Sequence, residues 1–486
     1  MQGVRGHFYL SLVKIQHLTL SSARQSQAQI HPSFLEIMNT LLSCFVLTAW
    51  LLTIPAGAQT PQAPPNLPPD ARYKVDILLV VGHPDDDTEV TSYLAREVEQ
   101  HHRRVGVVYG TRGNSGGNAV GYEQSKALAD AREMEARHSL ASYGVTNAWF
   151  LRGPDTPSED VLHSLETWGH GESLEQVVRL VRLTRPEVIL TWLPNYDDGE
   201  NHSDHQAAGV LATEAFDMAA NPLAFPEQVA APRDRSNISN YGEGLRPWQP
   251  KKIYYFSDAI HSEFYKGNGP EYSTSGISPS RHIPYSQVAE QAWGAYQTQG
   301  DYTPEQLKEV MEAPVRFIFG KSLVGGTPAG DIFEGIRPGP IPYHRATGYE
   351  PPARPAVSIE LGGPWAFYRE FWQAHDIQHL DRLYAPETGV APGEKLWVPI
   401  LIHNDTDSTR EVILRPALPG GWTAQPEAQV YTVAAHDTYP VSAWVLAPGS
   451  AQMGTWHNLT WNAESQGRDV GSVTLRGHVD TQHMPQ

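Results

Sequence analysis

Runs of apolar residues alternate with amphipathic stretches over the first half of the chain. Strands are predicted where Val, Ile and Leu follow one another, and helices where apolar residues recur every three or four positions. The predicted strands are 74–81, 104–110, 147–152, 187–193 and 252–257, and the predicted helices are 87–101, 121–143, 172–184 and 203–219. Strands alternating with helices are typical of βαβ units. The pattern therefore predicts an α/β core over 73–260, with a Rossmann-like, mostly parallel sheet and helices on both faces.

The pattern changes twice beyond this core. Residues 261–390 hold Pro- and Gly-rich loops and aromatic-rich turns, with helical patterns at 286–299 and 304–312. We interpret them as an elaboration of the core domain that shapes a cleft. From residue 391, short alternating runs separated by turns predict a C-terminal β-sandwich over 391–480.

An apolar stretch near the start of the chain indicates export. Residues 41–54 are apolar and are followed at 56–58 by Ala-Gly-Ala, the small-residue pattern of a signal-peptidase site. The stretch is short for a membrane span. We therefore expect an upstream extension at 1–37, a signal peptide at 38–58 and a Pro-rich linker at 59–72. The mature protein is expected to be secreted or periplasmic in a bacterium, with no stable membrane span.

Composition limits the partners. The 486 residues carry a formal net charge of −18 and include one cysteine, Cys44, which lies inside the predicted signal. The negative charge argues against nucleic acid and anionic membrane surfaces, and it is compatible with a neutral or cationic polysaccharide. Removal of the signal would leave no cysteine for a disulfide. An uncleaved anchor, or a lipoprotein signal processed at Cys44, is the alternative.

Two clusters of histidines and carboxylates follow two of the predicted strands. The first, at 83–87, reads His-Pro-Asp-Asp-Asp and follows 74–81; the second, at 202–205, reads His-Ser-Asp-His and follows 187–193. Because the carboxyl ends of parallel strands meet at one edge of a sheet, the clusters are expected to form one site. Imidazole nitrogens and carboxylate oxygens suit Zn²⁺ or a similar divalent ion.

Spacing suggests how the first cluster acts. His83 and Asp86 are three residues apart in a tight turn and can reach one ion, and His205 would complete a set of three ligands. Three protein ligands with an open position are typical of catalytic zinc. The metal lowers the pKa of its bound water far below the value in bulk water, to about 7, and Asp85 is the candidate general base.

The second cluster supplies candidates for the remaining roles. His202 precedes His205 by one helical turn, so a protonated His202 is placed to stabilise an oxyanion and to protonate a leaving amine. Asp204 either orients His202 or supports a metal ligand from behind. Either cluster alone has a plain structural interpretation, as a helix cap or a surface pair. Their joint occurrence after two buried strands favours a site.

Two further features border the predicted cleft. The Gly-rich loop 111–118 fits neither of the common phosphate-binding patterns, so we interpret it as a flexible loop beside the cleft. Arg132 and Glu135 are three residues apart on a predicted helix and are expected to form a solvated ion pair, with a buried structural role as the alternative.

At these residues the chain resembles the PIG-L/LmbE family of zinc-dependent N-deacetylases. The family has an Ala-His-Pro-Asp-Asp-Glu-like motif after its first strand and a His-x-Asp-His motif later, which correspond here to 82–87 and 202–205. Asp87 stands where the family more often has Glu, and Ser203 where it more often has Pro. The resemblance covers about 73–260 and implies roles for six residues. These are the zinc ligands His83, Asp86 and His205, the general base Asp85, and the oxyanion-stabilising acid His202 assisted by Asp204.

The resemblance also implies a reaction. One zinc ion per chain would support removal of the acetyl group from an N-acetylglucosaminyl-type amino sugar or glycoconjugate, releasing acetate and a free amine. The alternatives are an amidase for another N-acyl group, a metal-dependent esterase or phosphoesterase, and an inactive carbohydrate-binding surface protein. A phosphoesterase would require more carboxylate ligands, and a binding protein has no use for Asp85 as a base.

The C-terminal region resembles an Ig-like module that is often appended to secreted carbohydrate-active enzymes. The similarity covers about 391–479 and includes Leu-Pro-Gly-Gly-Trp at 418–422. Glycan contact by this module is a further prediction. Trp422 is a candidate for stacking on sugar, although a position in the core is favoured.

Overall fold

The chain is represented by a computed structural model. It describes residues 71–480 apart from 196–201, 231–242, 258–265, 301, 351–352 and 384. The predicted extension, the signal peptide and most of the linker lie outside these residues. Within the described part, no helix is long and apolar enough to cross a membrane.

A six-stranded sheet forms the centre of the first domain, as the apolar runs predict. Its strands are β1 (Ile77–Val81), β2 (Val105–Tyr109), β3 (Asn147–Phe150), β4 (Val188–Trp192), β5 (Lys252–Phe256) and β6 (Ile318–Ser322). They lie in the order β3-β2-β1-β4-β5-β6; the first five are parallel, and β6 is antiparallel to β5. The sheet confirms the predicted fold class.

Both faces of this sheet are covered, which explains the unbroken apolar runs. In β1, Leu78 and Val80 belong to one apolar core, while Ile77, Leu79 and Val81 belong to the other. The helices of this domain are α1 (Thr91–Glu99), α2 (Lys126–Ser142), α3 (Val161–Thr167), α4 (His170–Thr184), α5 (Ser203–Met218), α6 (Pro226–Val229), α7 (Tyr285–Trp293), α8 (Pro304–Glu312) and α9 (Pro364–Ala374). All of them except α6 and α8 place side chains in one or both of these cores.

The elaboration packs on both faces of the core domain. Val288 of α7 joins the core that contains α1 and α2, and Phe371 of α9 joins the core that contains α4 and α5. The helix predicted at 286–299 ends at Trp293, and a separate 3₁₀ turn follows at Gln297–Gln299. A two-stranded ribbon pairs Glu271–Tyr272 with Val315–Arg316.

Two further sheets form the predicted C-terminal sandwich. Its strands are β7 (Val357–Leu361), β8 (Glu387–Val390), β9 (Lys395–Asn404), β10 (Arg410–Ala417), β11 (Thr423–Gln425), β12 (Gln429–Val433), β13 (Asp437–Leu446), β14 (Trp456–Ser465) and β15 (Arg468–Val479). One sheet has the order β11-β13-β9-β7 and the other β8-β15-β14-β10-β12. Trp422 is 7% exposed and lies in the core between the sheets, as favoured.

The sandwich includes two strands that precede residue 391. β7 pairs antiparallel with β9, and β8 pairs parallel with β15. Between them lies α9, whose Tyr368, Phe371 and Trp372 pack on the α/β core. The alternating pattern before residue 391 is therefore interrupted by a helix that faces a different core, which is why these strands do not stand out in the sequence.

Candidate metal and catalytic site

The two predicted clusters meet at the point where the strand order reverses. β1 and β4 are neighbours in the sheet, but the chain continues from β1 to β2 on one side and from β4 to β5 on the other. The loops that leave such a pair of strands diverge and open a crevice at the carboxyl edge of the sheet. Residues 83–87 follow β1 in a tight turn, and residues 202–205 begin α5 after β4.

A strained turn holds the first cluster. Asp85 has a φ of 113°, which a non-glycine residue rarely adopts. After it the chain forms a 3₁₀ turn at Asp86–Val90 before α1 begins, so the helix predicted at 87–101 is split in two. Oδ2 of Asp86 turns back and accepts the backbone N–H groups of Gly82, at 2.8 Å, and His83, at 3.0 Å. Backbone strain at such a position is a common feature of functional sites.

Trp192, at the end of β4, completes the environment of Asp86. Its indole Nε1 donates to Oδ2 of Asp86 at 2.7 Å, and its ring stacks on His205 with centroids 4.1 Å apart and planes 4° from parallel. Burial alone would raise the pKa of Asp86, but His205 and His83 outweigh this and hold it well below its ordinary value. Asp86 is therefore an ionised acceptor inside the protein. Trp192 was not among the site residues predicted from the sequence, although its position at the carboxyl end of a buried strand was a signal.

Three imidazole rings face one another across the crevice. Nitrogens of His83, His202 and His205 lie within 4.8 Å of one another, as do ligand atoms of His83, Asp155 and Asp204. The ring centroids of His83 and His202 are 4.7 Å apart, and those of His202 and His205 are 4.2 Å apart.

The predicted ligands are in mutual contact. Oδ1 of Asp86 lies 3.5 Å from Nδ1 of His83 and 3.2 Å from Nε2 of His205. Nδ1 of His205 is buried without a hydrogen-bond partner. Imidazole and carboxylate donors that converge in this way fit a divalent cation. His83, Asp86 and His205 remain the predicted ligand set.

The carboxylate of Asp204 supports His83 from behind. Its Oδ2 lies 3.2 Å from Nε2 of His83 and accepts the backbone N–H of Thr156 at 2.7 Å. Its Oδ1 accepts the hydroxyl of Ser164 at 2.6 Å. Of the two roles left open for Asp204, these contacts favour support of a ligand over orientation of His202. Burial lowers the pKa of His83, but hydrogen bonds with Asp204 and Asp86 outweigh it and raise the pKa well above its ordinary value.

His202 caps α5 and lines the crevice. Its Nδ1 accepts the backbone N–H of Asp204 at 3.4 Å. Burial, together with the neighbouring His205 and His83, lowers the pKa of His202 well below its ordinary value. The ring is therefore neutral in the metal-free cluster. Because Nδ1 accepts, its one proton lies on Nε2.

Asp85 stands beside this cluster and lines the same crevice. Burial raises the pKa of Asp85 well above its ordinary value, and Asp86 adds to the increase, while His83 and Arg132 oppose it. A half-buried carboxylate with a raised pKa is suited to take up a proton and release it again.

Arg132 and Glu135 do not form the solvated ion pair predicted for them. Arg132 is 5% exposed and donates to the carbonyl oxygens of Gly113, at 2.7 Å, and Gly117, at 2.8 Å. Glu135 accepts from the hydroxyl of Thr298 at 2.7 Å. The expectation of a solvated pair was wrong, and the buried structural alternative is confirmed. Carbonyl groups of the Gly-rich loop satisfy the guanidinium, which lets it lie inside the protein.

The two residues that depart from the family motif, Asp87 and Ser203, lie behind the crevice. Asp87 is fully buried and accepts hydroxyl protons from Tyr109, at 2.8 Å, and from Tyr296. Burial raises its pKa to about 7, although the two tyrosines oppose the shift. Ser203 is also fully buried, with its hydroxyl 2.6 Å from that of Ser164. Neither side chain lines the crevice, so the two replacements alter its support and leave its lining unchanged.

The crevice opens into a cleft of about 830 Å³. Three sides of it are formed by the candidate metal-binding cluster (His83, Asp86, His202 and His205), the Gly-rich loop and the segment that carries Asp155. Trp293 and Tyr302, from the elaboration, help to form the fourth.

Comparison with known proteins places this domain in a family. Residues 78–216 match the family model described as PIG-L: GlcNAc-PI de-N-acetylase. The 1D-myo-inositol 2-acetamido-2-deoxy-alpha-D-glucopyranoside deacetylase 1 of Catenulispora acidiphila is 29% identical over 199 residues, which are 38% of this chain and 59% of that protein. The chain thus spans about three fifths of the length of this relative. The α/β domain is a PIG-L family domain, as the resemblance implied.

Solved structures align with each part of the chain. The N,N'-diacetylchitobiose deacetylase of Pyrococcus horikoshii, complexed with its inhibitor MPG, is 15% identical with a TM-score of 0.36, covering 50% of this chain and 83% of that one. The C-terminal sandwich aligns with the ASH/PapD-like domain of human CEP192, which is 11% identical with a TM-score of 0.17, covering 29% of this chain and 99% of that one. At TM-scores this low, neither alignment adds to what the sheet topology shows.

Proposed function

We propose that the chain is an exported, zinc-dependent N-deacetylase that acts on an N-acetylglucosaminyl-type sugar or glycoconjugate. The observation that carries the proposal is the convergence of Asp85 with three imidazoles and Asp86 at the switch point of a PIG-L family domain. A cation held by a histidine–carboxylate set, with a separate carboxylate beside it, is suited to hydrolysis of an unactivated amide.

The side chains of the site divide the work of this reaction. When bound by His83, Asp86 and His205, zinc supplies Lewis-acid polarisation and lowers the pKa of a water molecule. Asp85 takes a proton from the attacking water as the bond between the water oxygen and the carbonyl carbon forms. His202 donates its Nε2–H toward the developing oxyanion. The proton on Asp85, rather than one from the protonated His202 predicted from the sequence, passes to the amide nitrogen as the C–N bond breaks, leaving acetate and a free amine.

Asp204 contributes by positioning. Because its carboxylate holds Nε2 of His83, the opposite side of that imidazole is directed toward Asp86. Replacing a carboxylate that supports a metal-binding histidine in this way commonly lowers the affinity for the metal by about 10–100-fold.

Acetate release is the direct test of this function. The zinc-loaded protein would be incubated with N-acetylglucosamine, its oligomers and its conjugates, beside Asp85→Asn and a surface control, Asp130→Asn. We expect release by the unchanged protein and the control, and loss of release in Asp85→Asn with bound zinc unchanged. Absence of release from every acetamido sugar by zinc-loaded protein would refute the deacetylase proposal and direct attention to longer N-acyl groups. Absence of stoichiometric metal would favour a binding protein.

Export and glycan contact belong to the same proposal. Export is supported by the apolar stretch and Ala-Gly-Ala pattern at 41–58, and N-terminal sequencing of the mature chain, expected to begin near Gln59, tests it. Glycan contact by the sandwich is supported by Trp397 and Trp444, which are 36% and 42% exposed and directly opposite each other on β9 and β13. Replacing both with Ala is expected to abolish retardation of the protein in gels that contain soluble glycan, and unchanged retardation would contradict this contact.

A further inference from the structure

An aromatic pair from the elaboration forms the wall of the cleft that lies outside the PIG-L match. Trp293 ends α7 and Tyr302 precedes α8, whereas the family match ends at residue 216. Their ring centroids are 5.1 Å apart, with the planes inclined by 53°. Tyr302 is 45% exposed, Trp293 is half-buried, and both line the cleft that contains the metal-binding cluster. Each ring therefore presents part of its surface to a bound molecule.

The segment between these two rings is fastened to the catalytic turn. Tyr296 donates its hydroxyl to Asp87, and Gln299 donates its side-chain amide to the carbonyl oxygen of Pro84. Thr298 is held by Glu135 through its backbone N–H, at 3.0 Å, and its hydroxyl. The wall is thus linked to the turn that carries the candidate base, and little ordering is required when a ligand binds.

Aromatic surface of this kind suits the face of a sugar ring. A pyranose presents C–H bonds on its faces and hydroxyl groups around its edge, so a flat aromatic ring can cover a face without displacing the hydrogen bonds of the edge. Tyr and Trp supply large, rigid contact areas at a low cost in side-chain entropy. A second sugar joined to the one being deacetylated would extend along the cleft, away from the metal-binding cluster.

The charges in the cleft limit what this second sugar carries. Five carboxylates line the cleft, those of Asp85, Asp86, Glu89, Asp155 and Asp204. Among the described lining residues Arg132 is the single Lys or Arg, and its guanidinium is bonded to the carbonyl groups of the Gly-rich loop. With the two charges of a bound divalent cation added to that of Arg132, the five carboxylates still outnumber the positive charges of the lining. A phosphate group would therefore be repelled, whereas a neutral or amine-bearing ring would not.

We propose that Trp293 and Tyr302 form a stacking subsite for a second, uncharged or amine-bearing sugar ring linked to the N-acetylglucosaminyl unit that is hydrolysed. The inference rests on the proposed function for the identity of the first ring. It makes a linked amino-sugar chain the preferred substrate, over a monosaccharide or a phosphate-linked glycoside.

Binding without turnover tests the subsite directly. Zinc-loaded Asp85→Asn protein would be titrated calorimetrically with N-acetylglucosamine, its β-linked disaccharide, and N-acetylglucosamine 1-phosphate. We expect the disaccharide to bind about tenfold more tightly than the monosaccharide, a difference of about 1.4 kcal/mol. Adding Trp293→Ala or Tyr302→Ala should remove this difference and leave monosaccharide affinity unchanged. Tyr343→Ala, at a tyrosine with 41% exposure outside the cleft lining, is the matched control.

Two results would overturn the subsite. One is equal affinity for monosaccharide and disaccharide, and the other is a disaccharide preference that survives both Ala variants. Tighter binding of the phosphate than of the monosaccharide would overturn the argument from charge. Trp293→Phe retains an aromatic face and should restore most of the preference, which separates stacking from loss of folding.

Turnover separates this inference from the proposed function. In protein with Asp85 intact, Trp293→Ala should lower the ratio of kcat/KM for disaccharide over monosaccharide by about tenfold. If no sugar releases acetate while the disaccharide preference in binding still depends on Trp293, the deacetylase proposal fails and the subsite stands. If acetate is released but the ratio is the same in Trp293→Ala, the subsite fails and the deacetylase proposal stands.

Discussion

Replacing Trp192 with Phe would test whether the indole N–H is part of the metal site. The N–H donates to Oδ2 of Asp86 at 2.7 Å, and the donor and acceptor are 1% and 6% exposed. Phe keeps an aromatic ring that can still stack on His205, but it has no donor. Asp86 would keep the hydrogen bonds from the backbone N–H groups of Gly82 and His83 and lose the one from the indole.

The size of the effect follows from the kind of bond that is lost. A hydrogen bond to an ionised, buried carboxylate contributes about 1.5–3 kcal/mol. With the donor gone, the Asp86 carboxylate is less firmly oriented toward the ion. Loss of a group that orients a ligand commonly lowers metal affinity by about 10–100-fold. We therefore expect zinc binding to weaken by this factor in Trp192→Phe.

Competition with a chromophoric chelator would measure the zinc affinity, and urea unfolding of the metal-free protein would measure stability. Trp461→Phe is the matched control, because Trp461 is also 1% exposed but lies in the sandwich core. Both variants should lose stability through the smaller side chain, and only Trp192→Phe should bind zinc more weakly. Equal zinc affinity in Trp192→Phe and the unchanged protein would refute the reasoning.

Two further predictions concern the supports of the site. Asp204→Asn should weaken zinc binding by about 10–100-fold, because a neutral amide holds His83 less firmly. The control is Asp160→Asn, which changes only the cap of α3 and should leave zinc affinity unchanged in the same chelator assay. For Asp87, the folded pKa of about 7 lies above the ordinary 3.8, so the folded state binds the extra proton between these values. The unfolding free energy of metal-free protein should therefore fall by about 1.4 kcal/mol per pH unit from about pH 4 to pH 7 through this group, and level off above that. Urea titrations across this range should show that the unfolding free energy falls less steeply with pH in Asp87→Asn than in the unchanged protein. An equal dependence on pH in the two proteins would contradict the assignment.

The sequence by itself determined the α/β core and the location of the site. Strands buried on both faces appear as unbroken apolar runs, so β1 and β4 are recognisable without any tertiary information. Polar residues directly after two such strands must lie at one edge of a parallel sheet. For this reason the clusters at 83–87 and 202–205 could be brought together before the structure was known.

Only the tertiary structure decided what surrounds those clusters. Trp192 reaches Asp86 across 106 positions in the sequence, Asp204 reaches His83 across 121, and Tyr296 reaches Asp87 across 209. Spacing in a sequence describes geometry within one helix, strand or turn. The direction of a side chain where two distant segments cross depends on how the intervening elements pack, so the partner of Asp204 and the aromatic wall of the cleft could not be read from the chain alone.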